Sequence, residues 1–274
     1  MTLRPPIVLP RIYKFLSKMR DTFLYFSSIL VFMSFAVGSC GISTNIGNSE
    51  PIDHELFNQV LQKYVSSEGW VDYKGLSQDR RTFDQYLELL KNNHPNKKNW
   101  SSDERLAYWI NAYNAFTLQL ILDHYPVESI KDIKNGIPFV NTVWDIKFIN
   151  IEGQEYDLNN IEHGIIRKQF DEPRIHFAVN CASYSCPKLS NRAYRADVLE
   201  RQLDESTRSF INDGRRNILA PDMLQLSKIF SWYRSDFNHD DQSVVKFIRK
   251  YSDIEISEDV QIEYLDYKWS LNGQ

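Results

Sequence analysis

Apolar positions fall into helical stripes over the first part of the folded chain and into alternating runs in its middle. Asp53 precedes Leu56, Phe57, Val60, Leu61 and Tyr64, a stripe that predicts an amphipathic helix capped by the aspartate. Residues 70–73 (WVDY) read as extended and 80–91 as a second helix. The longest helix covers 103–124, capped by Ser101 or Ser102 and ended before Pro126. Apolar and aromatic residues from Leu106 to Ile121 occupy all its sides, which predicts a buried central helix. Residues 144–151 alternate like a strand, and Glu152-Gly153-Gln154 reads as a hairpin turn leading to Tyr156. A helix capped by Asp157 or Asn159 runs to about residue 170. Ile175, Phe177 and Val179 alternate with His176 and Ala178, predicting a strand over 174–180. Helices over 195–212, 231–237 and 242–251 and a strand over 260–269 complete the order. Without a regular βαβ rhythm, the class is α+β. We expect a single compact domain over 53–274, with a long buried central helix and a small, mostly antiparallel sheet.

Composition agrees with a globular core: 42% of the 274 residues are hydrophobic, 14% aromatic and 25% charged. A formal net charge of −4 implies no nucleic-acid partner. Three cysteines, at 40, 181 and 186, are too few for a disulfide scaffold, and CxxC zinc pairs are absent. Nothing in the pattern calls for a cofactor.

The head of the chain departs from this picture. Residues 1–21 carry five basic side chains against one acid, and the uncharged stretch 22–37 follows. Sixteen residues are short for a membrane span, which needs about 20, but suit a signal h-region. The stretch runs into Val37-Gly38-Ser39-Cys40, which resembles the bacterial lipoprotein box, with Cys40 as the site of lipid attachment. The resemblance implies a signal peptide over 1–39, a small-residue tether over 40–52 and a membrane partner reached through a lipid such as palmitate on Cys40. It places the protein in the bacterial cell envelope, at the periplasmic face of the outer membrane. Cleavage leaves 27 basic residues against 35 acidic ones, a net charge of −8. An alternative start at Met19 keeps the h-region.

Three places carry polar residues where the pattern does not ask for them. Asn111 and Asn114 lie three apart on the otherwise apolar central helix, as loop-tying amides or as a ligand-facing strip. His163 follows Glu162 in IEHGIIR and is either structural, a general base or a ligand. In HFAVNCASYSCP, Cys181 and Cys186 share a loop, and Pro187 suggests a helix start that places the Cys186 thiol at a dipole-stabilised cap. The pair reads as a nucleophile, as a disulfide in an oxidising compartment, or as part of a metal site with His163.

These segments resemble the domain-of-unknown-function 547 family. The matching stretches are 64–76, 108–122, 156–167, 174–189, 226–237 and 264–272. The family's Trp-x-Asn-Ala-Tyr-Asn helix matches Trp109, Asn111, Ala112, Tyr113 and Asn114. Its Glu-His pair matches Glu162 and His163, and its two-cysteine loop matches His176, Cys181, Cys186 and Pro187. Asn180 and Ala182 stand where the family often has an aliphatic residue and glycine. The family brings no established activity. Some relatives are intracellular, where a structural disulfide is unusual, which favours a site over a staple. The enzyme expectation is a cysteine-dependent hydrolase or acyl transferase with Cys186 as nucleophile, Cys181 beside it, His163 as base, and Asn111 or Asn114 as orienter or oxyanion donor. The alternatives are a non-catalytic module with a Cys181–Cys186 disulfide that binds a protein or envelope polymer, and a Cys/His metal site.

Overall fold

A computed structural model describes residues 47–134, 142–237 and 244–273. The expected signal peptide, Cys40 and the first part of the tether lie outside the described residues. The described residues pack as one compact unit.

Chain order begins with helices α1 (Glu55–Tyr64), α2 (Tyr73–Gln78), α3 (Arg81–Lys91) and α4 (Ser102–His124). Asp53 accepts from the Glu55 amide at the start of α1. Asp72 accepts from Gly75 N at 2.7 Å and starts α2, in a stretch whose pattern reads as extended. Ser101 and Glu104 form a reciprocal capping box at the head of α4, worth about 1 kcal/mol. Sixteen of the residues of α4 from Leu106 to Leu122 are buried, so the helix is enclosed on all sides as its composition predicts. Part of the stretch read as tether is docked: Ser49 O accepts from Asn96 Nδ2 at 2.9 Å and Trp100 Nε1 at 2.8 Å.

Hairpin β1 (Ile149–Ile151) and β2 (Gln154–Tyr156) turns through Glu152 and Gly153, both with positive φ. Asp157 then accepts from Asn160 N at 2.6 Å. The helix that follows is π-helical over Asn160–Ile166 and continues into the short α5 (Arg167–Gln169). Arg167 N bonds Glu162 O, five residues back, and such widened turns recur at functional sites.

The expected strand over 174–180 is instead a 3₁₀ turn, Pro173–Phe177, started by Glu172. Alternation is uninformative here because Ile175 through Asn180 are all buried, so neither set of side chains faces solvent. The segment threads between two cores. Ile175, Ala178 and Val179 join the large one around α4, while Phe177 joins a second built on α6 (Leu199–Ile211), α7 (Ile229–Trp232) and α8 (Val244–Tyr251).

Three short strands make the other sheet: β3 (Ile218–Leu219), β4 (Met223–Leu226) and β5 (Gln261–Tyr264), in that order. The β3–β4 pair is antiparallel and the β4–β5 pair parallel. Beyond β5 the chain leaves the sheet and runs beside the cysteine loop, with Tyr184 N bonding Ser270 O at 2.7 Å and Ser185 N bonding Lys268 O at 3.2 Å. The described residues thus form a compact α+β domain of eight α-helices and two small sheets. No described helix is long and apolar enough to cross a membrane.

Candidate functional site

A cavity of about 370 Å³ opens where the two cores meet. Its lining includes Cys181, Cys186, Glu162, His163, His176 and Tyr233, with Trp144, Trp232, Tyr267 and Trp269 around them. Asn111 and Asn114 are not among the lining residues. Asn111 accepts from Tyr194 N at 2.9 Å and donates to Tyr194 O at 2.8 Å. Asn114 accepts from Asn180 N at 2.8 Å and donates to Ala178 O at 2.9 Å. Each buried amide satisfies two buried backbone groups that have no other role in helix or sheet.

The cysteine loop is braced at both ends. Asn180 donates to Pro187 O at 2.7 Å, spanning the loop, and accepts from Ala182 N at 2.8 Å. Ala182 is buried at φ +61°, a left-handed conformation that favours glycine. Asn272 N bonds Ala182 O, and the side chain of Asn272 accepts from Tyr73 OH at 2.7 Å.

The helix expected after Pro187 is absent: residues 187–190 are irregular, so no dipole reaches Cys186. Burial pushes the Cys186 thiol well above its ordinary pKa, and the neighbouring Cys181 adds to this. Of the two thiols, Cys181 is the one whose ionisation its surroundings favour, whereas the sequence expectation put the nucleophile on Cys186. Hydrogen bonds from the Cys186 thiol, foremost, and from Ser183 and Tyr267 lower it to about 7 against the opposing effect of burial. Ser183 Oγ lies 3.2 Å and Tyr267 OH 3.3 Å from its sulfur. The two sulfurs are 2.8 Å apart and both thiols are free.

Two histidines share the cavity in opposite states. Arg167 Nη1, a donor only, bonds His163 Nδ1 at 3.1 Å, so the neutral ring carries its proton on Nε2. The expected base, His163, is therefore a hydrogen-bond donor, because its lone pair is occupied by a guanidinium. His176 instead donates from Nε2 to Asp236 Oδ2 at 2.8 Å, and its buried Nδ1 has no partner among the described residues. Burial lowers its pKa, so the ring is neutral with a bare lone pair on Nδ1. Hydrogen bonds from His176 and Arg167 overcome burial and hold Asp236 far below the usual carboxylate range. Tyr233 stacks on His176 at 3.9 Å and donates to Glu162 Oε1 at 2.7 Å. Burial and the Glu162 carboxylate push the Tyr233 phenol far up.

Among the described residues no group of three or more His, Cys, Asp or Glu is placed to hold a metal, so Cys181, Cys186 and His163 do not form the alternative metal site. Neither histidine bonds directly to a sulfur. Sequence reasoning missed Arg167 and Asp236, and it quoted His176 without giving it a role. The i, i+4 spacing of His163 and Arg167 was the available signal for one of them.

Residues 97–211 match the family model described as "Protein of unknown function, DUF547". The resemblance to this family is carried by that stretch. It spans α4, both histidines, the cysteine loop and α6, whereas Tyr233, Asp236, Tyr267 and Trp269 come from outside the DUF547 match. No curated protein and no solved structure matches the chain.

Proposed function

We propose that this chain is an envelope lipoprotein whose cavity carries out cysteine-dependent acyl transfer or hydrolysis. One observation carries the reading: Cys181 shares a cavity with two histidines whose free ring nitrogens are set in opposite states, one a lone pair and one an N–H. His176 Nδ1 takes the Cys181 proton through a water or substrate atom, since no direct bond joins them. The thiolate adds to an acyl carbon and the carbonyl electrons move to oxygen, where His163 Nε2–H donates. Collapse expels the leaving group, which takes the proton from the His176 imidazolium, and leaves a thioester on Cys181. A water or acceptor amine then attacks, giving its proton to His176, and the thiolate departs. Asp236 holds the His176 ring and stabilises its charged form, the arrangement of nucleophile, base and orienter familiar from hydrolytic triads.

Attachment through Cys40 rests on the order of charge, apolar stretch, small residues and cysteine in the first forty residues. Full-length protein should fractionate with membranes, and Cys40→Ala should prevent lipidation and signal removal at this site. The chemistry is tested by mixing the protein with 4-nitrophenyl acetate and reading intact mass. An acetyl adduct on Cys181, absent in Cys181→Ser and slowed in His176→Ala, is expected. Free thiols that acquire no adduct overturn the enzyme reading. A second reading, a non-catalytic module stapled by Cys181–Cys186, is favoured by the 2.8 Å approach of the sulfurs.

A further inference from the structure

Among the described residues, charge balance around the cavity leaves one carboxylate over. Arg167 and Asp236 cancel each other through two hydrogen bonds, while His163 Nδ1 accepts from Arg167 and His176 Nε2 donates to Asp236. Glu162 lines the same cavity at 5% exposure, and among the described residues its side chain accepts from the neutral Tyr233 hydroxyl, on Oε1, and bonds no cation. No Lys or Arg is among the described lining residues. A carboxylate taken out of water is costly without a cation beside it, so among the described residues Glu162 offers the cavity a negative charge that no bonded cation matches.

The walls suit the same kind of group. Trp144, Trp232, Tyr267 and Trp269 form a continuous aromatic cluster, with Tyr267 4.5 Å and Trp144 5.5 Å from the Trp269 ring. Trp232, which stacks on Trp269 at 5.9 Å, is 49% exposed although large and apolar. Aromatic faces attract ammonium groups through the ring quadrupole, and this cluster already holds one: Lys131 Nζ sits 4.8 Å over Trp269. A sugar would also stack on such rings, but sugar recognition leaves the Glu162 charge unmatched.

We infer that the cavity recognises an ammonium-bearing group, primary or quaternary, between the Glu162 carboxylate and the aromatic wall. This names the substrate class for the acyl chemistry proposed above and as a substrate claim rests on it; the binding claim does not. An acyl donor or acceptor carrying a positive amine near its reacting carbon fits both the charge and the wall.

The test uses the full chain carrying Cys181→Ser, so that thiol chemistry does not enter. Tryptophan fluorescence is followed during titration with choline against its neutral isostere 3,3-dimethylbutan-1-ol, and with propylammonium against propan-1-ol. At least one cation should bind about tenfold or more tightly than its neutral partner, and Glu162→Gln should reduce that preference to about twofold or less. Equal affinity within both pairs, no saturable signal for either cation, or an unchanged preference in Glu162→Gln overturns the inference. Should Glu162→Gln fail to fold, the paired titrations on the Glu162 protein still decide. Charge-selective binding without any Cys181 adduct in the ester experiment sinks the acyl reading alone; an adduct without charge selectivity sinks this inference alone.

Discussion

Arg167 and Asp236 meet through two nearly parallel hydrogen bonds, Nε to Oδ2 at 2.6 Å and Nη2 to Oδ1 at 2.7 Å. The pair joins the widened helical turn carrying His163 to the 3₁₀ turn Arg234–Phe237, and each partner fixes a different imidazole. Arg167 donates to the lone pair on His163 Nδ1, and Asp236 accepts from His176 Nε2. A single fork therefore sets both tautomers, and lysine cannot replace arginine in it because a point ammonium lacks the geometry.

Asp236→Asn should destabilise the protein by about 2–4 kcal/mol, since it leaves a half-buried guanidinium with a weaker partner. Its folded-state pKa lies below the unfolded value, so its contribution is fully present above about pH 4 and is lost as pH falls through the folded value. Urea midpoints measured from pH 7 down to pH 3 should fall more steeply in the parent than in Asp236→Asn. Parallel pH curves for the two proteins would show that the carboxylate is not held low.

Cys181 should be the thiol that reacts. Its alkylation rate by iodoacetamide should rise with pH through a midpoint near 7, because the thiolate is the nucleophile and its pKa is lowered to about 7. Cys186, pushed up by burial, should label far more slowly over the same range. Cys186→Ser replaces the largest of the interactions that lower Cys181, and the midpoint should move up towards the ordinary thiol range. Peptide mapping after timed quenching reads both sites, and preferential labelling of Cys186 would reverse the assignment.

Much of the helical scaffold is legible in the sequence, because stripes such as Phe57, Val60 and Tyr64 and the Ser101–Glu104 cap are local signals. The site is less so. Residues 174–180 alternate as a strand does, yet every position from Ile175 is buried between two cores, where a period of two carries no information. Pro187 suggests a helix, but Asn180 bonds its carbonyl and Arg216 Nε bonds Cys186 O at 2.5 Å, fixing an irregular loop by contacts distant in sequence. Asp236 lies 60 residues from His176, and only the packing of the second core against the first brings them together.

Asn111→Ala and Asn114→Ala should each cost about 2–4 kcal/mol, because each truncation strands a buried backbone N–H and a carbonyl. Both amides are consumed by backbone, so neither change should move the pH midpoint of Cys181 alkylation in the folded fraction. Chemical denaturation reads the first effect and alkylation in native buffer the second. A shifted midpoint at unchanged stability would mean that the amide acts on the thiol, contrary to the bonding described.

Oxidation should connect the two readings of the cysteine pair. The sulfurs lie 2.8 Å apart and a disulfide needs about 2.05 Å, so small side-chain movements close the bond. Closure removes two thiol hydrogens and transfers two electrons to an oxidant, for which diamide serves in vitro. The closed loop holds six residues, so the chain-entropy gain is only about 2 kcal/mol, small enough for the bond to be reversible in function rather than required for folding. Diamide-treated protein should lose about 2 Da, stop acquiring iodoacetamide at Cys181, and regain both properties after dithiothreitol. Its urea midpoint should change little, because Asn114, Asn180 and Asn272 already brace the loop in the dithiol state. A protein that unfolds on reduction supports the structural staple instead. One that diamide leaves fully alkylatable shows that the two thiols do not pair.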